Sequence, residues 1–298
     1  MTGSQGEGRG GARGAVIVIS SHVARGSVGN RACVFALETL GHPVWAVPTV
    51  MLPWHPGHGP ATRILPPAEA FQAFLRDLER APWLGEVTAV LSGYLGEPSQ
   101  AEAVAALVRR VKAHNADALY LCDPVMGDAG GLYVPPETAA AIQKTLLPLA
   151  DIATPNRYEL AWLAEAELDT PEALAAAARH AGPPTMMVTS VPGTLPGNIG
   201  NLLLSPGEAH LAEHRAIENP ANGPGDLMAA LLLAWILLGI APAEALRRAT
   251  AATYETLARA AGRGADELML ETDAASLASP AAMVKTSRFS MPDSPERA

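Results

Sequence analysis

The sequence predicts an α/β protein in which a central, mostly parallel sheet carries helices on both faces. Short aliphatic runs alternate with helical segments of about 10–15 residues, which is the pattern of repeated βαβ units. The chain has 298 residues, of which 49% are hydrophobic and 17% charged, so it can bury a large core. No internal repeat or linker divides it. We therefore expect one domain over residues 14–278, with flexible tails at 1–13 and 279–298.

The individual elements follow from local signals in chain order. Residues 15–20, AVIVIS, form a continuous apolar run and are interpreted as a buried strand. The helix at 30–41 ends at a glycine, and the helix at 66–80 has prolines at its start. A Pro-Gly pair between two apolar runs at 198–216 indicates a hairpin. The remaining expected elements are strands at 43–47, 87–92, 117–123, 151–154 and 184–190, and helices at 99–115, 135–150, 156–167, 170–182, from about 226, and 242–262.

Charge and apolar content argue against two classes of partner. The net charge is −9 and no run of Lys or Arg exceeds a pair, so the sequence does not indicate a nucleic-acid surface. The longest apolar run, at 227–240, is too short to span a bilayer and is expected to be a buried core helix, so we expect no membrane insertion. Two cysteines, Cys33 and Cys122, are no disulfide framework and fit a reducing compartment, from which we expect a cytoplasmic protein.

Polar residues gather where the predicted strands end. In open α/β sheets ligands bind at the carboxyl ends of the strands, so these positions are candidates for one binding face. Taken singly, each is readily explained by a turn or a helix cap. The residues concerned are Ser20, Ser21, His22, Thr49, Ser92, Gly93, Tyr94, Asp123, Thr154, Asn156, Glu159, Thr189 and Ser190.

The stretch 222–226, NGPGD, stands directly before the most apolar helix. One interpretation is that Asp226 caps this helix, since Asp accepts hydrogen bonds from first-turn amides. The other is that the glycines and first-turn amides bind a phosphoryl group, and that Asp226 takes a proton from the attacking hydroxyl. The motif alone leaves both interpretations open.

Two further segments combine carboxylates with turn residues. Asn156 and Glu159 are three residues apart and share a helix face, so Glu159 is a candidate Mg²⁺ ligand acting through water. Asp123 and Asp128 in CDPVMGD are candidates for a cation and its triphosphate. The alternatives are a capped first helical turn and an ordinary Asp-Pro turn.

Five segments carry a recognisable combination of motifs: SSHVARGSVGN at 20–30, VLSGYLG at 90–96, CDPVMGD at 122–128, LADIATPNRYEL at 149–160 and GPGDLMAALLLAW at 223–235. Together they resemble the pyridoxal kinases of the ribokinase-like superfamily. Their order and spacing are similar to that family from about residue 16 to about residue 261, with SHV and LSGYLG the most specific parts. The resemblance implies a ribokinase-like three-layer sandwich and ATP-dependent phosphorylation of the 5′-hydroxymethyl group of pyridoxal, with pyridoxine and pyridoxamine as further acceptors.

The resemblance also implies roles for particular residues. Asp226 is the expected base, Ser21 contacts the pyridine ring, and Thr49 and Met51 belong to the same substrate pocket. Loops 51–59 and 128–133 are expected to close over the ligands. The resemblance also implies Mg²⁺, ATP and a homodimer, with a monovalent cation as a further option. The expected ATP-binding residues are Asp123, Thr154, Asn156, Glu159, Thr189, Gly223 and Gly225, and the expected metal-binding residues are Asp123, Asp128 and Glu159.

Three residues depart from the family pattern. Pro224 stands between the two glycines where the family has Thr or Val, and proline has no backbone N–H to donate. Met51 replaces a Gln and Trp54 replaces an Asn, which makes the pocket lid more apolar. Met51 and Trp54 favour a kinase for another hydroxymethyl heterocycle, such as hydroxymethylpyrimidine. Pro224 favours a weakened relative that only binds a vitamer or nucleotide, although a pure binder has no need for both Asp226 and the metal-site carboxylates.

Overall fold

Nine strands form one hydrogen-bonded sheet in the computed structural model, which describes residues 13–289. The sheet order is β11-β10-β9-β8-β7-β4-β3-β1-β2, and β5 and β6 pair separately as a small hairpin. The strands are β1 Ala15–Val23, β2 Val44–Leu52, β3 Val87–Ser92, β4 Leu119–Cys122, β5 Gly127–Asp128, β6 Gly131–Leu132, β7 Ile152–Ala153, β8 Thr185–Pro192, β9 Asn198–Ser205, β10 Glu208–Arg215 and β11 Lys285–Arg288.

The sheet is parallel from β2 to β8 and antiparallel from β8 to β11. This confirms the predicted mostly parallel sheet and the predicted hairpin. Because the six parallel strands run in one direction, their carboxyl ends meet at one edge, which is where ligands bind in such folds.

Helices cover both faces of the sheet, and the alternation of strand residues explains why. Ile17 and Ile19 of β1 belong to one core cluster, whereas Val16 and Val18 belong to the other. Strand residues point alternately to opposite faces, so a strand covered on both sides must be apolar throughout. The helices are α1 Asn30–Thr39, α2 Ala68–Glu79, α3 Ser99–His114, α4 Pro136–Ala141, α5 Arg157–Ala164, α6 Pro171–Ala181, α7 Pro224–Leu237, α8 Pro242–Gly262 and α9 Leu270–Ala278.

The two helical layers hold different parts of the chain. Helices α2 to α6 contribute to the first core cluster, and α1, α7, α8 and α9 contribute to the second. Helix α7 is buried continuously from Leu227 to Trp235 and packs against α1 and α8, which explains its uniform apolar character. Within residues 13–289, no helix combines the length and apolarity needed to cross a membrane.

Two predicted boundaries are wrong for identifiable reasons. The helix predicted at 135–150 is α-helical only over Pro136–Ala141, continues as a π turn at Ile142–Leu146 and ends in a 3₁₀ turn at Leu147–Leu149. Pro148 has no N–H and its ring clashes with the carbonyl four residues earlier, so the α-helix cannot continue. Strand β2 runs on to Leu52, past Pro48, because it is the edge of the sheet, where a missing ladder donor is tolerated.

The predicted flexible tail from 279 is wrong for the part that the structure describes. Strand β11 pairs with β10, the Phe289 amide donates to the Ala209 carbonyl at 2.7 Å, and the Lys285 ammonium lies 2.8 Å from the Glu213 carboxylate. Helix α9 was not predicted either. The tail prediction for 1–12 and 290–298 falls outside the described residues.

Candidate active site

A cavity of about 870 Å³ opens at the carboxyl edge of the parallel strands. It collects residues from six strand ends and from the start of α7, as the strand-end pattern predicts. Loops 51–59 and 128–133 both contribute to its wall, through Leu52, His55 and Gly57 from the first and Asp128 and Tyr133 from the second. The predicted site residues that line the cavity are Ser21, Asp123, Asp128, Thr154, Asn156, Glu159, Thr189, Gly223, Gly225 and Asp226.

Asp226 does not cap helix α7. The helix begins at Pro224, its N-cap is Gly223, and no side chain hydrogen-bonds the first-turn amides. Gly223 has φ +93°, and a Cβ there would clash with the Ser27 carbonyl oxygen, so glycine is required. Asp226 is therefore the third residue of the helix, and its carboxylate lines the cavity.

The first turn of α7 presents free amides beside this carboxylate. The first intrahelical bond runs from the Leu227 amide to the Gly223 carbonyl at 3.1 Å, so among the described residues the amides of Gly225 and Asp226 have no partner. A Cβ on Gly225 would meet no atom within 4 Å, so a ligand can approach the backbone here. Such helix starts bind anions through their amides and dipole. We call this anion-binding helix start the phosphoryl cradle. Pro224 supplies no N–H, so the phosphoryl cradle has one hydrogen-bond donor fewer than a run of consecutive amides would give.

The Asp226 carboxylate has the electrostatics of a proton acceptor. Burial raises the pKa of Asp226 to about 6, although the Gly29 amide acts in the opposite direction. The residue is thus ionised at neutral pH but holds a proton more tightly than an exposed Asp. Its Oδ1 lies 3.9 Å from the position that a Cβ would occupy on Gly93, at the end of β3.

A second buried carboxylate stands at the end of β4. Asp123 Oδ1 accepts a hydrogen bond from the Thr154 hydroxyl at 2.9 Å, which explains why the two strand ends carry these residue types. Burial, and then the charges of Glu159 and Asp226, raise the pKa of Asp123 well above its usual range. The cavity therefore holds mutually repelling carboxylates, an arrangement that favours a cation among them.

Glu159 and Asn156 form the start of α5 and anchor the β5–β6 hairpin. They make a reciprocal capping box, in which Asn156 Oδ1 accepts the amides of Tyr158 and Glu159 and Glu159 Oε2 accepts the Asn156 amide at 2.8 Å. Glu159 Oε1 also accepts the Met126 amide at 2.9 Å, and Asn156 Nδ2 donates to the Gly127 carbonyl at 2.8 Å. Burial raises the pKa of Glu159 to about 7 despite these amides. The capped-turn interpretation is therefore correct for both residues, which nevertheless line the cavity.

The carboxylates fit a cation held through water and not a ring of direct ligands. Within residues 13–289, no group of three or more His, Cys, Asp or Glu side chains is placed to hold a metal ion. Asp128 Oδ1 accepts the Gly130 amide at 2.7 Å and Glu159 is engaged by backbone amides, so the predicted role of Asp123, Asp128 and Glu159 in organising Mg²⁺ through water stays a prediction. The repelling charges around Asp123 still suit Mg²⁺, which keeps most of its water ligands.

Thr49 and Met51 do not line the cavity, so their predicted place in the pocket wall is wrong. Because β2 continues to Leu52, Thr49 lies inside the strand and not after its end. The buried Thr49 hydroxyl donates to the Tyr94 carbonyl at 2.7 Å, and Met51 is 44% exposed. Trp54 is also absent from the wall, and its Nε1 donates to the Gly59 carbonyl at 3.2 Å, which closes its own loop.

Several lining residues were not predicted as site residues. Arg63 lies beside Tyr94, which was a strand-end candidate, and Asn222 precedes the Gly223 turn. The opposite wall comes from β9, β10 and α8 through Ile199, Asn201, His214, Thr253 and Leu257. These residues lie inside regular elements, where strand-end reasoning gives no signal; the buried polar Asn201 within an apolar strand was the one available clue. Cys122, predicted to be a core residue, is buried and unpaired, and burial raises its pKa to about 12.

Comparison with known proteins identifies similar chains over most of the sequence. A family model described as phosphomethylpyrimidine kinase matches residues 76–270. The chain is 39% identical to pyridoxal kinase PdxY from Rubrobacter xylanophilus over 272 residues, covering 89% of this chain and 94% of the relative. It is 37% identical to the pyridoxine/pyridoxal/pyridoxamine kinase from Bordetella bronchiseptica, covering 86% of this chain and 92% of that one.

A solved structure has the same fold. Pyridoxal kinase from Leishmania donovani, in complex with ADP and pyridoxamine, matches with a TM-score of 0.86 at 28% identity, covering 93% of this chain and 99% of that one. This likeness confirms the predicted ribokinase-like arrangement of a central sheet with helices on both sides.

Proposed function

This chain belongs to the pyridoxal kinase family, and on that premise we propose that it transfers the γ-phosphoryl group of ATP to the 5′-hydroxymethyl group of pyridoxal. The observation that carries the proposal is the pairing of Asp226 with free helix-start amides in one cavity. A phosphoryl acceptor needs its alcohol proton removed, and the phosphoryl oxygens need donors as charge shifts. The Asp226 carboxylate meets the first requirement, and the free amides of Gly225 and Asp226 meet the second.

In the proposed reaction, Asp226 accepts the proton of the acceptor hydroxyl. The hydroxyl oxygen forms a bond to the γ-phosphorus while the bond to the β–γ bridging oxygen breaks, and ADP leaves. The amides of Gly225 and Asp226 donate to the phosphoryl oxygens during the transfer. With a pKa of about 6, Asp226 is ionised at neutral pH and can still hold the proton until product leaves.

The nucleotide is proposed to lie on the side of the cavity formed by the ends of β4, β7 and β8. Asp123, Thr154, Asn156 and Thr189 line this side. Asp123 would hold Mg²⁺ through water, with Glu159 and Asp128 adding negative charge nearby. Mg²⁺ bound there would neutralise part of the negative charge of the triphosphate. The acceptor ring is proposed to lie between Ser21 and the lid loop, with Thr49 acting only through the Tyr94 loop that it holds.

A second acceptor class is supported by a specific observation. The matching family model is described as phosphomethylpyrimidine kinase, which favours a hydroxymethylpyrimidine acceptor. Met51 and Trp54, whose apolar character suggested the same acceptor, do not line the cavity and add no support. Pro224 remains the one feature that favours a binder without turnover, because it removes an amide from the phosphoryl cradle.

Assembly and compartment are part of the same proposal. We infer a homodimer and dependence on a monovalent cation from family resemblance, and a cytoplasmic location because both cysteines are free and buried. Light scattering coupled to size-exclusion chromatography tests the dimer, and exchange of K⁺ for a bulky organic cation tests the ion. A monomer at micromolar concentration would contradict the dimer.

The deciding experiment is a parallel acceptor assay. Purified protein is incubated with ATP and Mg²⁺ and with pyridoxal, pyridoxine, pyridoxamine or hydroxymethylpyrimidine, and phosphorylated products are identified by mass spectrometry. We expect pyridoxal 5′-phosphate, and none from Asp226→Ala. Phosphorylation of the pyrimidine alone would establish the altered-substrate kinase. Ligand binding without any product would establish the binder.

A further inference from the structure

We propose that Arg63 recognises an anionic ring oxygen of the acceptor and so selects hydroxypyridines over aminopyrimidines. This inference rests on the proposed function for its substrate class.

Arg63 is held in the cavity wall by the loop after β3. Its Nη2 donates to the Gly96 carbonyl at 2.5 Å and lies 3.4 Å from the Tyr94 hydroxyl. The neighbouring Ile64 exchanges two backbone hydrogen bonds with Met51, each at 2.9 Å. These contacts fix the guanidinium beside the lid, and the residue lines the cavity together with Tyr94.

The same loop reaches from Arg63 to the proposed base. Gly93 stands close to the Asp226 carboxylate, and the next residue, Tyr94, donates its amide to the Ser20 hydroxyl at 3.2 Å. Gly93 and Gly96 are three residues apart in sequence, so the guanidinium and the Asp226 carboxylate lie at opposite ends of one short segment. A heterocycle whose hydroxymethyl group faces Asp226 would present another ring substituent to Arg63.

The charge and free donors of Arg63 determine what it can bind. Only Nη2 has partners among the described residues, so three N–H groups, one on Nε and two on Nη1, are left for a ligand. Arg63 is also the sole Lys or Arg among the described residues that line the cavity, whose other charged members include Asp123, Glu159 and Asp226. A guanidinium stays charged and prefers an anionic oxygen.

This preference separates the two candidate acceptors. Pyridoxal and its relatives carry a ring hydroxyl that ionises readily, so they offer the anionic oxygen that Arg63 needs. A hydroxymethylpyrimidine with an exocyclic amino group offers a donor instead, and would leave the three N–H groups without an anionic partner.

The test is a binding cycle that does not depend on turnover. Dissociation constants for pyridoxal and for its analogue lacking the 3-hydroxyl group are measured by titration calorimetry without nucleotide. We expect the wild type to prefer pyridoxal about tenfold, the lower end for a charge-assisted hydrogen bond at an accessible side chain. Arg63→Met should remove that preference, and Arg63→Lys should keep part of it.

The control is Arg110→Met, since Arg110 is an exposed arginine that also donates to one carbonyl, that of Glu79 at 3.2 Å, and does not line the cavity. It should leave the preference unchanged. If Arg63→Met weakens both ligands equally, or if Arg110→Met removes the preference too, Arg63 is a structural support and the inference is overturned. A wild type that shows the preference but transfers no phosphoryl group would overturn the proposed function and still support recognition by Arg63.

Discussion

His58 Nε2 lies 2.6 Å from Glu267 Oε1 and ties the lid loop to a segment more than two hundred residues away in sequence. The Glu267 carboxylate is nearly buried and its Oε2 accepts the Ser27 amide at 3.4 Å. Its backbone also bridges to Asn222, next to the Gly223 turn. The lid and the phosphoryl cradle therefore share one anchor.

The first prediction concerns this anchor. His58→Phe keeps an aromatic ring but removes the hydrogen bond, so loop 51–59 should open more often. A hydrogen bond to a charged group contributes roughly 1.5–3 kcal/mol, so we expect the KM for pyridoxal to rise about tenfold, with a smaller change in kcat. Steady-state kinetics at saturating ATP measure both constants.

A matched control exists in the β9–β10 hairpin. His210 Nε2 lies 2.7 Å from Glu208 Oε2, in a pair with a similar N–O distance whose residues do not line the cavity. His210→Phe should leave the KM unchanged. An unchanged KM in His58→Phe as well would show that this contact does not hold the lid.

The second prediction concerns proton acceptance by Asp226. Asp226→Asn removes the base with little change in size, and general-base catalysis contributes about 10²–10⁴-fold in rate. We expect kcat to fall by that order while ATP binding, measured by calorimetry, stays within a factor of about two or three. In the wild type, kcat should decline as pH falls through about 6, since the raised pKa of Asp226 means that the base becomes protonated there.

The contribution of Asp226 to stability should change with pH in the direction opposite to kcat. Its pKa is raised on folding, so the stabilising protonated form is fully present below the unfolded pKa of about 3.8 and is lost as pH rises through about 6. Asp226→Asn should therefore raise the Tm of the ligand-free protein more at pH 8 than at pH 4. An equal or larger gain in Tm at pH 4 would contradict the interpretation of Asp226 as an unpaired, buried carboxylate.

The parallel sheet made much of this site predictable from sequence. Asp123 and Thr154 end neighbouring strands, so a prediction of those strands also brings their side chains together. Asp226 was identifiable because glycines precede it at a helix start. The environment that makes Asp226 a proton acceptor could not be predicted, since the burial of its carboxylate depends on residues from several distant segments.

The missed features have a different physical origin. Thr49 was misassigned because the strand was predicted to stop at residue 47, whereas β2 is an edge strand that tolerates Pro48 and continues to Leu52. Arg63 and Glu267 carry no local signal, since each acquires its role from a partner brought near by tertiary packing. Strand β11 was missed because its polar sequence is typical of an edge strand that faces solvent.

The third prediction concerns Asn156 and separates its cap from its place in the cavity. Asn156→Ala should lower the free energy of unfolding by about 0.5–2 kcal/mol through loss of the cap on α5. It also releases the Gly127 carbonyl, so the β5–β6 hairpin should loosen and the KM for ATP should rise. Urea unfolding and nucleotide kinetics measure the two effects.

Thr170→Ala is the control for that variant. Thr170 caps α6 by accepting the Ala173 amide at 3.1 Å and does not line the cavity. It should lose comparable stability without any change in the KM for ATP. If both variants change the KM alike, the effect of Asn156 on the nucleotide is only a consequence of lower stability.

The fourth prediction concerns the missing amide at Pro224. Pro224→Thr restores an N–H at the first position of α7, beside the free amides of Gly225 and Asp226. Loss of one preorganised donor typically costs on the order of a hundredfold in rate, so kcat should increase towards that limit if this amide faces the transferred group. Thermal stability should fall slightly, because proline at the first helical position restricts the unfolded chain. The control is Pro242→Thr at the same position of α8, where stability should fall alike and kcat should not change. Equal kcat in the wild type and Pro224→Thr would mean that the two remaining amides already suffice and that the proline does not limit turnover.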